Sequence, residues 1–258
     1  MLKLSGAAVL VTLSLCTGAL AQTAGGEPVT IGVPTNPPLT MFADGKGQGI
    51  IHDLSVAALE KMGYTVVGRD LPFARLYQEI HGAGVDVAIS VLKTPERSTQ
   101  ALYSDPIITE YNVMVAKKGA AFALATTDDL PGRKIGTRNG FKYPLLDVRT
   151  DLTLDPGGDH LMNVRKLVAG RLDGMIVGSV SGLAQLKENQ FGDQIEVLPN
   201  SIGKVPLGTA LSSKRFTQAD LDRFNATVAE LRAGPAFAEI VARYNAGDLV
   251  KEYPVVPK

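Results

Sequence analysis

Two distant stretches of the chain repeat one local grammar in the same order. Lys134-Ile135-Gly136-Thr137-Arg138-Asn139-Gly140 echoes Thr30-Ile31-Gly32-Val33-Pro34-Thr35-Asn36. Further on in each stretch, the run from Leu167 to Ile176 echoes that from Ile80 to Ile89. Both of these later runs read helix, glycine, one or two residues, aspartate, apolar strand. The glycine suits the residue just past a helix end, and the aspartate sits where the chain turns into the strand. Ordinary alternation of helix and strand can produce one such echo. Two in the same order point to two similar α/β lobes, each with helices on the faces of a parallel or mixed sheet.

The first lobe can be followed element by element. Val29–Val33 is a β-rich run that ends in the forced loop Pro34-Thr35-Asn36-Pro37-Pro38. Asp44-Gly45-Lys46-Gly47 is a turn. Asp53 is expected to cap a helix with Leu54, Ala57, Ala58 and Met62 on one face and Gly63 at its end. Tyr64–Val67 reads as a strand, Leu76–Ile80 as helix and Val85–Ile89 as a buried strand. Two extended segments, Tyr111–Ala116 and Val205–Ser212, lie between the lobes. From Asp220 to Tyr244 the pattern is helical, broken at Gly234-Pro235. If these last helices pack on the first lobe, the chain crosses between lobes twice. Two crossings make a hinge, and the cleft beside it is where such sheets collect ligands.

Composition narrows the function classes. Twenty-six basic residues balance 26 acidic ones, which argues against a nucleic-acid binder. Apolar residues make up 45%, enough for a packed core and inconsistent with disorder. Lys3, the apolar run Ala7–Leu15 and Ala19-Leu20-Ala21 are expected to form a secretory signal over residues 1–21, cut before Gln22, the alternative being an N-terminal anchor left uncleaved. Leu15 before Cys16 is too large for a lipidation site. The mature chain then has no cysteine, which suits an oxidising compartment. His52, His81 and His160 have no metal-ligand spacing, so no metal or other cofactor is expected.

Several motifs now line up. Gly49-Ile50-Ile51-His52-Asp53-Leu54, Thr94-Pro95-Glu96-Arg97, Tyr103-Ser104-Asp105-Pro106 and Gly170-Arg171-Leu172-Asp173 stand in order. Phe237–Tyr244 closes the series. Together they resemble the periplasmic solute-binding proteins of family 3, the polar amino acid type, over residues 28–247. The resemblance implies a two-lobed periplasmic-binding-protein fold with a hinge of two crossing segments. Lobe 1 would be 22–112 with 208–258, and lobe 2 would be 113–207. It also implies a periplasmic monomer that closes on a small anionic, carboxylate-bearing solute and passes it to an ABC transporter permease in the inner membrane.

Site residues carry over by position. Arg97 would take the ligand carboxylate, for which a planar guanidinium is the matched fork; the alternative is a surface arginine paired with Glu96 or Asp105. Thr94 belongs to the same motif. Ser90 falls at the hydroxyl-bearing strand end, and Asn36 lies on the loop after the first strand. Asn139, Gly140 and Lys142 sit where the second lobe passes from strand toward helix, a place for anion-binding amides. Lys93 and Arg138 are further candidates for the cleft. Gly178 is the main departure: amino-acid binders carry an aspartate there for the ligand's ammonium. Its loss favours an organic acid, unless Asp155 or Asp159 substitutes. No nucleophile or triad spacing marks an enzyme, although exported cyclohexadienyl dehydratases resemble the family and would use a cleft acid or lysine. A detached sensor module is a third reading.

Overall fold

The computed structural model describes residues 27–139, 141 and 143–257. The signal segment, Gly140 and Lys142 lie outside the described residues. Among those described, no helix is long and apolar enough to cross a membrane.

The chain begins with β1 (Val29–Val33), a small hairpin of β2 (Met41–Ala43) and β3 (Lys46–Gln48), then α1 (Ile50–Lys61) and β4 (Val66–Asp70). Next come α2 (Phe73–Gly82), β5 (Val87–Leu92), the two-residue β6 (Leu102–Tyr103) and the long β7 (Ile108–Lys117). The second half holds β8 (Lys134–Arg138), β9 (Thr153–Gly157), α3 (His160–Val168), β10 (Gly174–Gly178) and α4 (Ser181–Glu188). A 17-residue strand, β11 (Ile195–Leu211), leads to α5 (Gln218–Ala233) and α6 (Pro235–Arg243).

One continuous sheet runs β4-β1-β5-β11-β7-β10-β8-β9, with β6 also on β11. Strands β1, β4 and β5 are parallel, as are β8, β9 and β10. Between the two parallel sets lie β7 and β11, antiparallel to each other. These two are the crossing segments of the hinge.

The repeated grammar has a structural counterpart. Asp86 accepts a hydrogen bond from the Thr30 amide at 2.9 Å, and Asp173 accepts one from the Lys134 amide at 2.7 Å. Thr30 and Lys134 occupy the same place in the two echoes. In each lobe the aspartate therefore ties the entry of one strand to the start of its parallel neighbour.

Each half is layered. In the first, α1, α5 and α6 cover one sheet face around Ile31, Leu54 and Phe224, and α2 covers the other around Leu76, Ile80 and Tyr103. In the second, α3 and α4 pack on Val113, Val115 and Val177, while Leu130, Tyr143 and Leu146 cover Met114 and Ile135.

Three expectations shift. Gly49, at φ 119, starts α1, so Asp53 lies inside the first turn and does not cap it. Asp53 instead accepts hydrogen bonds from Tyr244 Oη and Arg243, docking the end of α6. The strand expected at Tyr64–Val67 begins at Val66, because the Tyr64 amide still closes α1 on the Leu59 carbonyl. Ala246, Leu249 and Val250, after α6, still pack on the first-lobe core, within the expected 208–258 span, but the last residues cross over. Tyr253 and Val256 bury in the second-lobe clusters, Ser201 N donates to the Pro254 carbonyl at 2.7 Å, and Val256 N donates to Ser201 O. Apolar burial draws this tail across as a third passage beside the hinge strands.

Candidate functional site

Strand register places the cleft. Leu92, the carboxyl end of β5, lies opposite Leu207, which pairs with Ile108 of β7. Gly178, the carboxyl end of β10, lies opposite Asn112 of the same strand. The two parallel half-sheets thus end facing one another over Ile108–Asn112. At the usual rise per strand residue that floor is roughly 13 Å long. The walls are the loops after β1 and β5 on one side and those after β8 and β10 on the other.

Arg97 stands on the first wall, at the start of a short 3-10 turn. Its Nη1 donates to Tyr77 Oη at 2.6 Å and to the Leu92 carbonyl at 3.1 Å, and the guanidinium lies 3.7 Å from the Tyr77 ring centroid. Among the described residues no carboxylate pairs with it, Glu96 and Asp105 included. Thr94 accepts from the Arg97 amide through Oγ1 and from Ser98 Oγ through its carbonyl. That arrangement builds the turn that presents Arg97. Tyr103 lies nearby, buried with its hydroxyl unpartnered; burial pushes its phenol up to about 12, and Arg97 pulls the other way.

Ser90 lies within β5 at φ 60, 3% exposed, where the pairing with β11 shifts register. A bulge with a left-handed serine re-aims the strand end. Asn36 closes a tight turn with Thr40, its amide donating to the Thr40 carbonyl at 2.7 Å. Asn139 is exposed on the second wall, its amide held by the Gly157 carbonyl.

The floor carries a group that the sequence reading missed. Glu110 is buried, and its Oε1 accepts from the Ser181 amide at 2.6 Å and the Val180 amide at 3.1 Å, at the start of α4. Burial raises its pKa above the ordinary glutamate range, opposed by those amides and by the charge of Arg138. A β-carbon added to Gly178 would sit 2.5 Å from Glu110 Oε1. A carboxyl group on β7 therefore lies directly against position 178. Asp155 and Asp159 are engaged elsewhere. Asp155 pairs with Lys134 and Lys166, and Asp159 caps α3 through the Met162 amide. The one sequence signal for Glu110 was a lone acid beside an otherwise apolar run.

Arg138, at the end of β8, stacks 4.5 Å from the centroid of the exposed Phe141 ring and has no carboxylate partner among the described residues. Its charge reaches both Glu110 and His160. His160 is 3% exposed, and burial, aided by Arg138, pushes its pKa down to about 4. The assembled site thus offers one guanidinium on each wall and a carboxyl on the floor, which suits capture of a small charged molecule. Among the described residues no cluster of acids or histidines could hold a metal ion.

A family model described as bacterial extracellular solute-binding proteins, family 3, matches residues 29–247. The L-cystine-binding protein TcyJ of Escherichia coli K12 is 22% identical over 227 residues, covering 84% of this chain and 82% of the relative. ABC transporter arginine-binding protein 1 of the same organism is 27% identical over 222 residues, covering 83% and 89%. Among solved structures, a binding component of an ABC transporter from Wolinella succinogenes, complexed with lysine, aligns at TM-score 0.70 and 19% identity over 84% of this chain and 95% of that one.

Proposed function

We propose the following reading for this chain, which belongs to the bacterial extracellular solute-binding proteins of family 3: it captures a small carboxylate-bearing solute between its lobes and delivers it to an ABC transporter permease. It would do so in the periplasm, as a monomer, after removal of residues 1–21. The observation that carries this reading is Arg97. Its guanidinium stands at the carboxyl end of β5, above the hinge floor, with no acidic partner among the described residues. A ligand carboxylate would complete its unused fork.

The named relatives bind cystine and arginine, and the neighbouring structure holds lysine. All three ligands carry an α-carboxylate, so an Arg97 anchor is compatible with each. The side-chain end differs in this reading. A second guanidinium, Arg138, favours an anionic solute over a cationic one. Glu110 reopens the case for an α-amino acid, because its carboxyl adjoins the position from which the family's aspartate meets the ammonium. We therefore retain both an amino-acid-like acid and a plain organic acid, and read the chain as a binding protein and not as an enzyme.

A thermal-shift screen of amino acids and organic acids tests this, followed by small-angle scattering with the best binder. Ligand at 100 times its Kd adds about 2.7 kcal/mol. The expected result is a raised Tm with a carboxylic acid, no turnover of that acid, and a more compact particle as the lobes rotate closed. A response confined to molecules without a carboxylate, or consumption of the bound acid, would refute it.

A further inference from the structure

Resting on the Arg97 reading, we infer that the solute carries two acid groups and that Arg138 is the second anchor, contributed by lobe 2. The strand register brings the carboxyl ends of β5 and β10 to face one another over the same hinge floor. Arg138 ends β8, directly beside β10, at the level of Val177. Each wall therefore presents one guanidinium that no carboxylate of the described residues neutralises. Both are arranged alike: Arg97 lies against Tyr77, whose ring meets Phe73 edge-on at 5.6 Å, and Arg138 lies against Phe141.

Stacking on an aromatic face fixes a guanidinium plane while leaving its edge for a planar anion. Two such plates on lobes that move relative to each other repel until an anion lies between them. A monoanion can neutralise one. A diacid engages one on each lobe, and contact with both lobes is what biases the closed state. Glu110 forms no ion pair with Arg138 among the described residues: its Oε1 accepts from the first amides of α4, and Arg138 acts on it only as a nearby charge. The class is thus a dicarboxylate, with or without an α-amino group, and Glu110 bears on which of the two.

The test is calorimetric titration of the mature protein with L-aspartate, L-glutamate, succinate and glutarate, against the half-amides L-asparagine and L-glutamine and the monoacid butyrate. Wild type should bind at least one diacid about 30-fold or more tightly than its singly acidic counterpart, the range for a desolvated charge pair. Arg138→Gln should erase that preference by weakening the diacid alone, and Arg138→Lys should restore part of it. Circular dichroism checks the fold of both variants. The inference is overturned if an amide binds as tightly as its acid, if no diacid saturates, or if Arg138→Gln leaves the preference unchanged. Failure of the Arg97 reading has a different signature: Arg97→Ala would leave acids and amides alike unaffected. Comparing glutarate with L-glutamate, and succinate with L-aspartate, separates plain diacids from acidic amino acids.

Discussion

The carboxyl of Glu110 occupies the space that any side chain at Gly178 would need. A β-carbon there would lie 2.5 Å from Oε1, 2.8 Å from Cδ and 2.9 Å from Oε2 of Glu110. Glu110 lies on β7 two residues from Asn112, the register partner of Gly178 on β10, at the floor of the cleft. A large acid on one strand thus goes with an absent side chain on the other.

This coupling predicts an outcome opposite to a simple reading of position 178. Gly178→Asp would not merely add an ammonium partner. It would force a second acid onto a buried carboxyl, combining overpacking with like-charge repulsion. Gly178→Ala alone should cost about 1–3 kcal/mol, and Gly178→Asp more. With Glu110→Ala in the same chain, Gly178→Asp should recover much of the loss. Chemical denaturation of the single and double variants measures the coupling; strictly additive effects would contradict the contact.

Glu110 should also mark the pH dependence of stability. Its folded pKa is raised by burial, so the folded state favours the protonated acid. That contribution is complete below the unfolded value, about 4.3, and is lost as pH rises through the raised folded value. Glu110→Gln keeps an acceptor for the Val180 and Ser181 amides and cannot ionise. Its stability relative to wild type should therefore improve as pH rises from 4 toward neutrality. A constant difference across that window would contradict the raised pKa.

His160 acts at the acid end with the reverse sign. Its folded pKa is depressed to about 4, chiefly by burial. The neutral ring is tolerated above its ordinary value, about 6.5, and stability falls as pH drops toward 4 and the unfolded chain takes up the proton first. The shift corresponds to about 3 kcal/mol. His160→Phe should flatten the acid limb of a Tm-against-pH curve between pH 6.5 and 4; an unchanged limb would place the imidazole in solvent.

The two-lobed plan was legible because local chemistry encodes it. Asp86 and Asp173 each sit before an apolar strand, and each binds the amide at the matching position of its lobe. The turn that holds Arg97 was legible because Thr94, which builds it, lies within a few residues. Glu110 was not. Its partners, Val180 and Ser181, are 70 and 71 residues away, and only the register of β7 against β10 brings them together. Gly178, read along the chain, signalled a missing carboxylate. Read in space, it marks where another strand's carboxyl group fits. The passage of the tail to the second lobe depended likewise on distant apolar surfaces around Tyr253 and Val256.

Arg97 carries the central claim, and calorimetric titration of wild type, Arg97→Ala and Arg97→Lys with the best-binding carboxylic acid tests it most directly. Removing one member of a desolvated charge pair costs about 2–5 kcal/mol, so Arg97→Ala should raise Kd by roughly 30- to 5,000-fold. The Tm of the unliganded protein should change little, because the Arg97 side chain hydrogen-bonds only Tyr77 Oη and the Leu92 carbonyl among the described residues. Arg97→Lys should recover only part of the affinity, since a point charge cannot reproduce the fork. An Arg97→Ala variant that folds and binds the acid as tightly as wild type would contradict the account.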